Sequence, residues 1–244
     1  MNVATRLTSD QLRLWRAQVG ALVSQEVRRV VRPSALGLLI LALFPSFIIL
    51  MHILFDRGHN VDRETHILAG LFQFYYLRVA IFLGGLSLFA SLFRREAMQR
   101  TLHYVLLAPL RREVLLVGRF LGGLLSCVLV FGLAWLLTTG TMYLHSGAPG
   151  WDFLWHGAGL GHLARYLGII GLACLGFGAI FLALGLLFRN PVLPALILLV
   201  IETFGALLPG WLQRLTVTFY LKPLLPFQLP ECSAPRMPVR PGDQ

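Results

Sequence analysis

Two ionisable side chains, Arg78 and Glu202, stand inside long apolar runs, where a charge at the centre of a bilayer costs about 3 kcal/mol or more. Each needs a partner or a wet cavity. Counted at about 1.5 Å per residue from Phe93 and Pro191, the cytoplasmic ends of their runs, they lie roughly 22 Å and 16 Å deep, close enough in depth to allow pairing. Two arrangements follow. Either they form an interhelical ion pair or line the upper part of a path through the membrane, or Arg78 snorkels outward while Glu202 is protonated or near the interface. Imidazole offers a second chemistry. His52, His59 and His66 are seven apart, and with His145, His156 and His162 they fall in or near connections on one side; such groups can bind metals or haem. No carboxylate or cysteine cluster joins them at ligand spacing, so they read as solvated loop histidines and no metal site is expected. Cys127, Cys174 and Cys232 are far apart in sequence and read as packing residues rather than a redox or metal set. No serine, cysteine or carboxylate constellation for catalysis stands out.

Cations supply one firm exclusion. The chain has twenty arginines and a single lysine, Lys222, which is followed by Pro223 and preceded by no glycine run. A P-loop needs Gly-x-x-x-x-Gly-Lys-Ser/Thr to cradle phosphates, so ATP is not held here in that way. The net charge of +10 sits on a chain that is 57% apolar and 13% charged. That balance leaves no room for a water-soluble globule or a disordered chain. It points to cytoplasmic loops beside anionic lipid rather than to nucleic acid.

The elements that must position these residues are therefore helices in a bilayer: an all-α, polytopic membrane protein. Residues 1–33 carry an amphipathic helix over 8–32, opened by Thr8-Ser9-Asp10, with Leu12, Trp15, Val19, Leu22, Val23 and Val27 at helical spacing and arginines elsewhere. It reads as an interfacial helix, the alternative being an ordinary helix packed on something. No cleaved leader is expected before it. A transmembrane domain over 34–209 follows, with five recognisable spans at Ser34–Leu54, Ala69–Phe93, Val114–Leu137, Ala164–Phe188 and Pro191–Leu208. Arginine counting places residues 1–33 and the Arg94–Arg119 connection, with six each, in the cytoplasm, and the acid-rich Phe55–Leu68 connection outside. Gly118/Gly122 and Gly157/Gly161 have the spacing that lets helices approach, the first pair within a span and the second in a loop, and Trp151 and Trp155 suit an interfacial girdle. The tail, 210–244, is broken by prolines and reads as a re-entrant or disordered segment.

The most specific stretch is Phe93–Gly123. Met98, Leu102, Val105 and Leu106 share one face of a short helix that Pro109 stops. Such a surface helix, joined to two spans, can pass a push from a soluble partner into the bilayer. The order Glu96, Thr101-Leu102, Leu106-Leu107, Pro109, Arg111-Arg112 and Gly118-Arg119 resembles the segment between spans two and three of ABC-2 type transporter permeases. The amphipathic helix before the first span and the Leu184–Pro191 turn are similar to that family as well, so the likeness runs from residue 8 to about 209. Arg100 stands where the family usually has glycine, Arg119 where it often has lysine, and the family's sixth span is not recognisable.

The resemblance implies the membrane-spanning subunit of an ATP-binding-cassette exporter in the inner membrane, with its N-terminus cytoplasmic. Two permease subunits, as a homodimer or heterodimer, would surround a path. Separate ATPase subunits would hold ATP and Mg and bind a coupling helix at 94–112, whose contacts would include Arg94, Arg95, Glu96, Thr101, Leu102, Leu106, Pro109, Arg111 and Arg112. Two readings from other classes stand beside it, a membrane-embedded enzyme acting on lipid-linked substrates and a non-transporting assembly subunit.

Overall fold

The structure is a computed structural model in which residues 18–28, 36–55, 61–90, 112–188, 190–204, 214 and 216–225 are described. Among them every regular element is helical. Helix α1 covers residues 18–28, α2 Leu36–Phe55 and α3 Val61–Leu71. A π-helical segment, Phe72–Ala80, joins α3 to α4, Ile81–Phe89. The long helices α5, Arg112–His145, and α7, Gly159–Leu187, flank the short α6, Gly147–Trp155. Helix α8, Val192–Thr203, and α9, Val217–Leu221, complete the set, with a 3₁₀ turn at Lys222–Leu224.

Four stretches are long and apolar enough to cross a membrane: Leu36–Phe55, Arg63–Phe89, Leu116–His145 and Gly159–Leu187. The chain is a polytopic membrane protein. Backbone donors and acceptors have no water to meet in hydrocarbon, so a span satisfies nearly all of them within its own helix. The fifth expected span appears as α8, whose 12 residues reach about 18 Å against a hydrocarbon core of about 30 Å; residues 205–213 lie outside the described ones. Three span edges differ from the apolar runs. The second span starts at Arg63 rather than Ala69, the third continues to His145 rather than Leu137, and the fourth starts at Gly159 rather than Ala164. In the first two cases the extra turns carry buried polar side chains, Glu64 and Thr65 on α3 and Thr138 and Thr139 on α5, with Ser146 after α5 meeting Glu64. Tertiary packing thus extends the helices past the hydropathy signal.

Helix α5 is central, packing on α2, α4, α6 and α7, while α4 packs along α7. Aromatic rings fill the space between them. Phe82 meets Phe181 edge-on at 4.9 Å, Phe131 lies directly over Gly84, and Phe89 lies over Gly178. Helix α2 buries only the stripe Leu38, Ala42, Pro45 and Ile49. Its other faces expose Leu36, Ile40, Leu43, Phe47 and Leu54, the pattern of a helix whose solvent is hydrocarbon.

Candidate functional site

The polar centre of the bundle begins with Pro45. A proline within a helix removes the N–H that would bond the carbonyl four residues earlier, here that of Leu41. Tyr75 from the π segment supplies the missing donor, its hydroxyl lying 2.9 Å from Leu41 O. Tyr76 donates to the next carbonyl, Ala42 O, at 3.2 Å. Thr138 of α5 donates to Ala134 O at 2.8 Å and stands 2.7 Å from Ser46 Oγ and 3.3 Å from the Tyr76 hydroxyl. Three helices are tied together by hydroxyls in this way, the kind of polar glue that membrane bundles use. The π segment presents two adjacent tyrosines to α2 and keeps an i→i+5 bond from Ile81 N to Tyr76 O at its end. Such segments are rare and often mark functional sites. Behind it Phe72, Tyr76, Trp135 and Tyr166 form an aromatic cluster, with Phe72–Tyr166 centroids 4.5 Å apart and Trp135–Tyr166 5.0 Å apart.

Arg78 lies on the π segment, half-buried, with its guanidinium 5.3 Å from the centre of the exposed Phe74 ring. Its Nε has no hydrogen-bond partner, and neither does Oε1 of the buried Gln73. Glu202 sits elsewhere. Its buried carboxylate accepts from Val217 N at 2.6 Å, from Thr218 Oγ1 at 2.5 Å and from Thr218 N at 3.4 Å. Glu202 therefore caps α9 across space and holds it on α8, and among the described residues no ion pair joins it to Arg78. The interhelical ion pair considered from sequence is not formed: α9 reaches the carboxylate first.

At the end of the bundle far from α1, Glu64 is buried and hydrogen-bonded to Ser146 Oγ, which also lies 3.1 Å from Met142 O. Beside them a pocket with room for about one water molecule is lined by Thr65, Trp135, Thr139, Tyr143, His162 and Tyr166, among others. Trp135 is fully buried and its indole N–H has no acceptor. In sequence Glu64 falls within the acid-rich Phe55–Leu68 connection. Its position four residues before Leu68 on an apolar, helical spacing was the available signal. His52, His66, His145 and His162 lie on or at the ends of helices, His59 lies outside the described residues, and no three histidines, cysteines or acids among the described residues are placed to hold a metal ion. Cys127 and Cys174, distant in sequence, come within hydrogen-bonding reach between α5 and α7.

Of the coupling set, Arg94, Arg95, Glu96, Thr101, Leu102, Leu106, Pro109 and Arg111 lie outside the described residues. Arg112 opens α5. The bundle so assembled is a set of apolar spans with a hydroxyl-tied core and no metal cluster among its described residues. Its sequence over residues 25–205 matches the profile of the ABC-2 family transporter proteins. The chain belongs to the ABC-2 transporter family. The match covers every described span and takes in both Arg78 and Glu202. No curated protein and no solved structure matches the chain. As an ABC-2 transporter it is a multi-pass membrane transport protein.

Proposed function

We propose that this chain is the permease subunit of an ATP-binding-cassette exporter, moving its substrate across the inner membrane while a separate ATPase chain binds ATP and Mg. The observation that carries the reading is family membership in a chain whose one lysine, Lys222, has no P-loop around it. A family member without a nucleotide site of that kind draws its energy from another polypeptide. The ATPase docks on residues 94–112 and on the N-terminal amphipathic helix, on the cytoplasmic side that the arginine excess marks. Continuity supports this: the proposed coupling segment leads straight into α5 at Arg112, and α5 is the helix packed on α2, α4 and α7. Two permease subunits, alike or different, surround the path. The broad apolar faces of α2 and α8 are left for lipid and for that second subunit.

Purification of the chain from its native membrane tests this reading. An ATP-hydrolysing companion is expected to co-purify, and Arg111→Glu with Arg112→Glu to lower its recovery about tenfold or more, the scale of losing one or two interfacial charge contacts. A complex with no ATP-hydrolysing companion overturns the reading. A membrane-embedded enzyme or an assembly subunit would need none.

A further inference from the structure

Helix α1 is not simply laid on the bilayer surface. Val19, Leu22, Val23, Glu26 and Val27 are half-buried while Gly20, Ala21, Ser24, Gln25 and Arg28 are exposed, so one face is turned onto the protein. It meets α5 at two buried glycines one turn apart. A Cβ built on Gly118 would lie 2.8 Å from Leu22 Cδ1 and 3.3 Å from Leu22 Cβ. One built on Gly122 would lie 2.9 Å from Glu26 Cβ and 3.2 Å from Val23 Cα. The second contact is with the backbone itself, which no change of side-chain rotamer relieves. Small residues at this spacing let helix axes approach and lock in register. The same spacing at Gly157 and Gly161 does nothing comparable: Gly161 has no atom within 4 Å of a built Cβ. Counted from Arg112, the seat lies about 9 to 15 Å along α5, within its first three turns.

We infer that Gly118 and Gly122 are positioning residues that fix α1 to α5 as one rigid lever, so that both proposed ATPase contacts, the N-terminal helix and residues 94–112, move together. This rests on the permease reading above and adds to it a defined mechanical joint. A sliding or lipid-floating α1 would transmit nothing to α5. A seated one sums the two pushes on a single span.

The experiment uses the full complex with the ATPase that co-purifies, in a Cys232→Ser background. Leu22→Cys with Gly118→Cys places the two Cβ atoms 3.3 Å apart, a few tenths of an ångström inside the disulfide range of about 3.5 to 4.5 Å and within reach of a small shift. Oxidation is expected to cross-link most chains and to leave ATP turnover within about twofold, because a rigid joint loses nothing by being locked. Gly122→Val is expected to keep ATPase recovery within about twofold and to lower turnover about fivefold, the scale of a disrupted coupling contact. Gly118→Ala should do less, since it meets the flexible end of Leu22, and Leu22→Ala should restore it. Gly140→Ala, on the same helix with nothing within 4 Å, should change nothing. A cross-link that fails to form, a cross-link that stops turnover, or a Gly122→Val complex that turns over like its parent overturns the inference. If the parent recovers no ATPase, the permease reading falls and this inference with it, while the cross-link yield still reports whether the seat exists.

Discussion

Around Glu202 three donors from α9 converge on one carboxylate at 2.5 to 3.4 Å, whereas around Arg78 a guanidinium lies 5.3 Å from a single ring centre and keeps an unpartnered Nε. Both charges stand in apolar runs, and sequence alone assigns them the same problem. The structure solves it twice, differently. Glu202 is saturated by its own chain, so it works as an anchor for the segment that follows α8. Arg78 is half-buried on a π segment and keeps an unpartnered Nε, so its remaining hydrogen-bonding capacity is open to whatever passes or packs there. An intramembrane charge is a functional candidate in proportion to what the fold has left unsatisfied.

Removing the anchor should produce the largest effect. Glu202→Leu leaves Val217 N, Thr218 N and Thr218 Oγ1 facing an apolar side chain, at an expected cost of about 3 kcal/mol, since buried donors that lose an acceptor pay their desolvation in full. Unfolding in detergent should report that loss, and limited proteolysis near residue 214 should become faster. Glu202→Gln keeps one acceptor oxygen and should cost about 1 kcal/mol. If leucine is tolerated as well as glutamine, Glu202 is not an anchor and the contrast with Arg78 collapses.

The hydroxyls that tie the π segment to α2 come next. Tyr75→Phe strands Leu41 O, which Pro45 has already deprived of its helical donor, and should cost about 1 kcal/mol; Tyr76→Phe should cost about half that, because Ala42 O keeps a helical partner in Ser46 N–H. Pro45→Ala supplies an N–H four residues after Leu41 and should recover most of the loss in the Tyr75→Phe background. Equal losses from the two tyrosines, measured by the same unfolding transition, would show that Pro45 does not set the difference.

The apolar cores of four spans are legible in the sequence because each is a run of about twenty residues, and the hydropathy of such a run does not depend on its neighbours. What surrounds them is not. Phe55–Leu68 reads as a connection because Asp62, Arg63 and Glu64 fall together, yet from Val61 onward it is helix, with Glu64 meeting Ser146. The π segment is a choice of backbone hydrogen bond that no residue type encodes. The likeness to ABC-2 permeases rests on residues between spans two and three, and family membership holds although most of those residues lie outside the described ones. Gly118/Gly122 and Gly157/Gly161 share a spacing, but the first pair lies on one helix against α1 and the second straddles the start of α7. Contacts such as Cys127 with Cys174 are set by how α5 and α7 pack, information that is spread over the whole interface.

The smallest expected effect on stability belongs to Arg78. Arg78→Met gives up one cation–ring contact, worth about 0.5 to 1 kcal/mol where partly exposed, and regains part of that through the better solubility of methionine in hydrocarbon. The unfolding transition should therefore move by less than about 0.5 kcal/mol. A double-mutant cycle with Glu202→Gln should give a coupling below about 0.5 kcal/mol, as for sites that share no partner. If the proposed ATPase complex is recovered, its ATP turnover is the sharper reading. A stable Arg78→Met protein whose turnover falls would place the open charge on the working surface. A stable protein with unchanged turnover would mean that Phe74 and the surrounding lipid are all Arg78 ever meets, and that unsatisfied capacity alone does not single out a site.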